Sequence, residues 1–156
     1  MTLKNNFMHR AIELSVNSAN NAGGPFGCVI VKDNKIIAEG SNKVTSSNDP
    51  TAHAEIVAIR DACQKLNTYN LSGSDLYSSC EPCPMCLSGI YWAHVDKIYY
   101  GNTRTDAAKI GFDDDFIYQE FNKDITSRKI SMIQTMNDEA SKAFDSWEKK
   151  PDKIKY

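Results

Sequence analysis

No stretch of this chain is long and apolar enough to cross a bilayer, and its opening, MTLKNNFMHR, carries no apolar run of the kind that directs export. No membrane partner is therefore expected. Positive charge is not in excess either: 18 Lys and Arg stand against 20 Asp and Glu, a formal net charge of −2. The broad basic footprint of a nucleic-acid binder is missing, although a local basic patch stays open. Five cysteines do not make an even set, so a disulfide framework is not expected; with no export segment they point to reduced thiols and a cytoplasmic home. No internal repeat, low-complexity tract or linker divides the chain. With 156 residues, 41% of them hydrophobic, it reads as one domain, residues 1–156, with a sizeable core.

What is present is concentrated in two short stretches, TAHAE at 51–55 and CEPCPMC at 80–86. His53, Cys83 and Cys86 offer one imidazole and two thiolates, a set that suits a hydrolytic zinc site with three protein ligands and a fourth position for water or hydroxide. Such a site lowers the pKa of water to about 7. Glu55, two residues past His53 and not needed as a ligand, is placed to move protons from that water to a leaving amine. Spacing supports the arrangement. Cys83 and Cys86 are three apart and share a helical face. Pro82 and Pro84 are tolerated only in a first helical turn, which puts both cysteines at a helix N-terminus. With Thr51 as N-cap, His53 and Glu55 sit at the start of a second helix and can both reach an ion lying off its end.

Simpler roles exist for these residues. Cys-x-x-Cys alone is often a thiol–disulfide pair, but such a pair has no use for His53 or Glu55. A structural zinc needs a fourth protein ligand, for which Cys80 is the candidate; alternation in LYSSC makes it a packed strand residue instead. Cys28 and Cys63 occupy apolar positions and read as core, while His9 and His94 have no partner motif.

Periodicity supplies the frame. Met8, Ala11, Ile12, Ser15, Val16 and Ala19 mark an amphipathic helix that stops at NAGGP, 21–25. GCVIV and KIIAEG, joined by Asp33-Asn34, read as an antiparallel hairpin. Ile56, Ile59, Cys63 and Leu66 mark the buried face of the helix that begins near His53. DLYSSC is a strand, residues 83–92 a helix, KIYYG a strand, and KISMIQ at 129–134 the last strand. Ala140, Ala143, Phe144 and Trp147 stripe a closing helix capped by Asn137 or Asp138. The sum is α/β: three layers, with a mixed five-stranded sheet between helices.

With both motifs on helices against such a sheet, the chain resembles the cytidine deaminase-like superfamily and, within it, the bacterial guanine deaminases. The likeness runs from about residue 5 to the end, through GGPFG at 23–27, EGSN at 39–42, NDPTAHAE at 48–55, SCEPCPMC at 79–86, IYWA at 90–93, TDAA at 105–108, GFDDDFIY at 111–118 and a terminal Tyr156. The zinc motif is common to the superfamily and selects no substrate; the choice of guanine rests on Trp92 and GFDDDFIY. The resemblance implies one zinc per chain and hydrolysis of guanine to xanthine and ammonia. It also implies that Glu55 moves protons, with Asp114 contacting the edge of the base and helping. Asn42 would hydrogen-bond the base, Phe26 and Trp92 would wall it, and Tyr156 would close the pocket. A homodimer is implied too, with exchange of C-terminal segments as one route and residues 137–156 as helix and capping tail.

Plainer roles exist for several of these residues. An Asn in a Gly-Ser-Asn loop shapes turns, Phe26 and Trp92 are the size of core residues, and acidic runs such as Asp113 to Asp115 are usually solvated. The main rival is a tRNA adenosine deaminase, for which the tail lysines 149, 150, 153 and 155 speak and the acidic FDDDF segment does not. Cytosine or guanosine as substrate, and a non-catalytic zinc module, complete the alternatives; Glu55 argues against the last.

Overall fold

The computed structural model describes residues 3–21 and 23–156; Met1, Thr2 and Ala22, the last within the predicted helix stop, lie outside the described residues. Two compact units are distinct, one ending at Asp114 and one spanning Asp115–Tyr156.

The first unit runs α1 (Leu3–Ala19), β1 (Gly27–Lys32), β2 (Lys35–Ser41), a short α2 (Val44–Ser47), α3 (Ala54–Leu66), β3 (Ser74–Cys80), α4 (Pro84–Trp92), β4 (Lys97–Asn102) and α5 (Arg104–Lys109). Asp33 and Asn34 both take positive φ, 50° and 58°, the conformation a two-residue hairpin turn demands, so β1 and β2 pair as the sequence predicts. Strand order is β2-β1-β3-β4, with β1 antiparallel to both neighbours and β4 parallel to β3 through the α4 crossover. The mixed sheet thus has four strands, not the five expected: residues 129–134, KISMIQ, form no strand. Apolar composition alone makes no strand; a ladder partner is needed, and Ile130, Met132 and Ile133 remain exposed.

One face of the sheet carries Val29, Val31 and Tyr77 against Phe7 and Ala11 of α1. The other carries Cys28, Ile30, Ala38 and Leu76 against Ala54, Ala58 and Ala62 of α3 and Ile90 of α4. Helices therefore cover both faces, the three-layer arrangement predicted. Their buried stripes are smaller than predicted. The α1 stripe is Phe7, Ala11, Ser15 and Ser18, while Ile12 and Val16 are exposed. The α3 stripe is Ala54, Glu55, Ala58 and Ala62, with Leu66 exposed. The cause is close approach. A Cβ on Gly27 would strike the Ala11 carbonyl oxygen of α1, and one on Gly40 would strike the Ala54 carbonyl oxygen and sit 2.7 Å from the Ala58 nitrogen of α3. At such separations only small side chains fit between helix and strand. Arg10 adds a fork from α1 to β2: Nε and Nη2 donate to the two Glu39 carboxylate oxygens at 2.8 and 2.7 Å, holding that carboxyl below its usual range.

The second unit contains α6 (Asp115–Asn122), a 3-10 turn (Ile125–Ser127) and α7 (Asn137–Lys149). Met136, in a left-handed conformation at φ 52°, precedes α7 in the cap position expected of Asn137 or Asp138. None of its residues is buried in this chain, and Phe116, Phe121, Ile130, Ile133 and Phe144 are exposed.

Candidate active site

Each of the two motifs opens a helix. His53 is itself the N-cap of α3, with extended backbone angles, so Thr51 is not the cap. Thr51 instead braces the approach: its N–H and hydroxyl both donate to Asp49 Oδ1, at 2.8 and 2.7 Å, and Arg60 reaches Asp49 Oδ2 at 3.2 Å. Cys83 is the N-cap of α4 and Pro84 takes its first position, where the missing N–H costs nothing. Two helix N-termini thus converge, placing positive dipole ends beside a site for thiolates.

His53 Nδ1 lies 3.5 Å from Cys83 Sγ and 3.5 Å from Cys86 Sγ, and the three ligand atoms lie within 4.8 Å of one another. Zinc bonds of about 2.3 Å to sulfur and about 2.05 Å to nitrogen give a tetrahedron with an N···S edge of about 3.5 Å. The donor set and its spacing therefore fit zinc. Cys80 stands apart from the set: it is buried, its Sγ directed at the Thr103 carbonyl oxygen at 3.7 Å, and burial lifts its pKa to about 11. The two candidate ligand thiols share charge unequally. Cys83 is held at about 4 by the Cys86 hydrogen bond first, with His53 assisting, and Cys86 is pushed up by that same bond and by burial. A dication among them favours the thiolate form of both.

Glu55, in the first turn of α3, is 6% exposed and outside the ligand group. Ser78 Oγ donates to Oε1 at 3.1 Å and Cys86 Sγ to Oε2 at 3.4 Å. Burial raises its pKa, the hydrogen bonds opposing, which moves a carboxyl toward the range useful for proton transfer near neutrality.

These groups open onto a cavity of about 550 Å³ whose lining includes Phe26, Asn42, His53, Glu55, Cys83 and Asp114. Asn42 is 9% exposed, and its Oδ1 accepts from the Val44 N–H at 3.2 Å and the Gly24 N–H at 3.4 Å. Those donors identify the oxygen, so the amide nitrogen is the end available to the cavity. Phe26 meets Phe112 edge to face, ring centroids 5.0 Å apart, making an apolar wall. The Asp114 carboxyl is raised by burial and by the neighbouring Cys83. Trp92 is elsewhere: it ends α4, is 65% exposed and is not among the lining residues. Tyr156 belongs to the second unit and is 74% exposed.

Phe112, Glu81 and Arg104 also line the cavity, and the sequence reading gives none of them a role. Arg104 N–H donates to Glu81 Oε2 at 3.0 Å, tying the start of α5 to the residue after β3. Phe112 was discoverable as the apolar residue beside the acidic run. Glu81 and Arg104 carry no such signal, because only the parallel β3–β4 pairing brings them together. Chemically, the arrangement combines a three-donor metal cradle, an unligated buried carboxyl and a polar-edged apolar slot, which suits hydrolysis at a flat, heteroatom-rich ring.

A profile of the cytidine and deoxycytidylate deaminase zinc-binding region matches residues 1–102. The guanine deaminase of Bacillus subtilis is 51% identical over 151 residues, covering 96% of this chain and 97% of that one. The X-ray structure of guanine deaminase from Bacillus subtilis superposes with a TM-score of 0.96 at 50% identity, covering 100% of this chain and 99% of the other. A tRNA-specific adenosine deaminase of Agrobacterium fabrum is 44% identical over 94 residues, 58% of this chain and 62% of its own.

Proposed function

The chain belongs to the cytidine and deoxycytidylate deaminase family, and on that footing we propose that it hydrolyses guanine to xanthine and ammonia. The observation that carries this is likeness through the whole chain, the acidic segment and tail included, to guanine deaminase; likeness to the tRNA enzyme covers little more than half. His53, Cys83 and Cys86 would hold one zinc ion, leaving a fourth position for water. Zinc so bound supplies Lewis acidity that acidifies water near neutral pH.

The side chains do the rest. Phe26, backed by Phe112, lies against the face of the base. Asn42 Nδ2 donates to an acceptor on its edge, the amide oxygen being occupied by backbone. Asp114 accepts from the base N–H groups and helps carry protons. As the water oxygen bonds to C2, a Glu55 carboxylate oxygen takes one proton from it and delivers it to the adjacent ring nitrogen. The second proton, from the hydroxyl then on C2, passes to the exocyclic nitrogen, the C2–N bond breaks, and ammonia leaves with C2 as a carbonyl. Water is consumed once per turnover, and the carboxylate returns to its starting state.

The working form is a homodimer with exchanged C-terminal segments. Two features support this: none of residues 115–156 is fully buried, and β4 ends the sheet with no partner on its outer side among the described residues. A strand edge and an unused apolar segment, KISMIQ, invite pairing between two copies. In that dimer residues 1–156 act as one deaminase domain, 137–156 cap a pocket, and Trp92 and Tyr156 complete its walls. Among the described residues no helix is long and apolar enough to cross a membrane; the proposed setting is cytoplasmic, in keeping with five free cysteines.

Ammonia release measured in parallel on guanine, guanosine, cytosine, adenine and tRNA tests the substrate, with Glu55→Gln as control. Guanine should react fastest, and Glu55→Gln should stay folded and zinc-loaded while losing at least about 10²-fold in turnover. Reaction of adenosine in tRNA without reaction of guanine would overturn the proposal.

A further inference from the structure

Strand β3 alternates across the sheet. Tyr77 faces α1 with Val29 and Val31, whereas Leu76 joins Cys28, Ile30 and Ala54 on the α3 side. By that period Ser78 falls on the Leu76 side, at a position where an apolar side chain would satisfy packing, and it is 1% exposed. A hydroxyl on this strand face is not assured of a partner: Ser74 Oγ, four residues earlier, is buried with none. Ser78 has one. Its Oγ donates to Glu55 Oε1 at 3.1 Å, linking the middle of the sheet to the first turn of α3.

A glutamate side chain turns about three bonds, and here its carboxyl meets its own backbone N–H, Cys86 Sγ at Oε2 and Ser78 Oγ at Oε1. With Cys86 as a metal-ligating thiolate, Ser78 is the side-chain donor that remains. Proton transfer needs a fixed direction of the carboxyl plane, since misplacement by about 1 Å can cost about 10²-fold in rate. We infer that Ser78 is a positioning residue for the proposed deamination, clamping one oxygen of Glu55 from below so that the carboxyl is presented to the cavity in a single orientation. The inference rests on Glu55 being the proton carrier. Packing has no need of the hydroxyl; alanine would fit the same space.

Steady-state kinetics on guanine, zinc per chain and melting temperature are compared for full-length, zinc-loaded Ser78→Ala, Ser78→Thr and Glu55→Gln. Ser78→Ala should lower kcat about tenfold while KM, zinc content and melting temperature stay near the parent values. Ser78→Thr keeps the hydroxyl and should recover most of the loss. Ser78→Ala added to Glu55→Gln should cost nothing further, since the group being positioned is already disabled. If the alanine variant does not fold, Ser78→Cys, close in volume and a much weaker donor, replaces it with the same expectation. Unchanged kcat in Ser78→Ala, equal losses in the alanine and threonine variants, or a loss that tracks zinc content would each overturn the inference. Near-parent activity of Glu55→Gln would instead overturn the reading of Glu55 on which it rests.

Discussion

Asn42 serves two masters. Its amide oxygen satisfies two loop N–H groups, those of Gly24 and Val44, which leaves its nitrogen for the proposed contact with the base. Substitutions can separate the roles. Asn42→Asp keeps an acceptor for the backbone but replaces the donor with a second oxygen; KM for guanine should rise about tenfold or more with little change in melting temperature. Asn42→Ala removes both, so it should also cost about 1–2 kcal/mol in stability, read by denaturant unfolding. If Asn42→Asp leaves KM unchanged, the nitrogen does not touch the base. The sequence showed an Asn after EGS and what an amide can offer, but not which end was taken, because Gly24 and Val44 become its partners only once the loops fold. His53, Glu55, Cys83 and Cys86 were legible for the opposite reason. Within each motif the geometry is set by short spacing at one helix start, which needs no long-range information; only the meeting of the two helix starts comes from the fold. Trp92, marked for the pocket by its neighbours in sequence, is exposed at the end of α4 in this chain, so its proposed place in a wall depends on a second copy.

At the scale of elements, the position of α3 depends on an absent side chain. Gly40 lets β2 come within backbone contact of Ala54 and Ala58, and α3 carries both His53 and Glu55 at its start. Gly40→Ala places a methyl against backbone that cannot turn aside. It should destabilise by about 1–3 kcal/mol, and zinc occupancy should fall with it, measured by metal analysis alongside thermal unfolding. A variant with parental stability and zinc would show that the helix can shift at no cost. The same close approach explains what periodicity got wrong. Periodicity places large apolar residues on the buried faces of α1 and α3, yet the tightest contacts admit only Ala, Ser and Gly, and Ile12, Val16 and Leu66 are left outside. Element type and order follow from local pattern. Depth of burial follows from distance between elements, which the pattern does not contain. The unformed fifth strand has a similar origin, since a strand exists only with its partner.

For the whole molecule, the question is which pocket each tail serves. Deleting Tyr156 should lower kcat or raise KM for guanine. Coexpressing that truncated chain with Glu55→Gln then distinguishes the two arrangements. If tails cross between copies, mixed dimers hold one intact carboxyl closed by one intact tail, and random pairing should restore about a quarter of parental sites. If each tail serves its own chain, activity should not exceed the average of the two variants. All three metal donors fall before residue 87, inside the unit that ends at Asp114. During synthesis this unit emerges from the ribosome first and can fold while later residues are still being added. All the donors for the proposed zinc are thus in place before residues 115–156 are made, so metal loading need not wait for the tail.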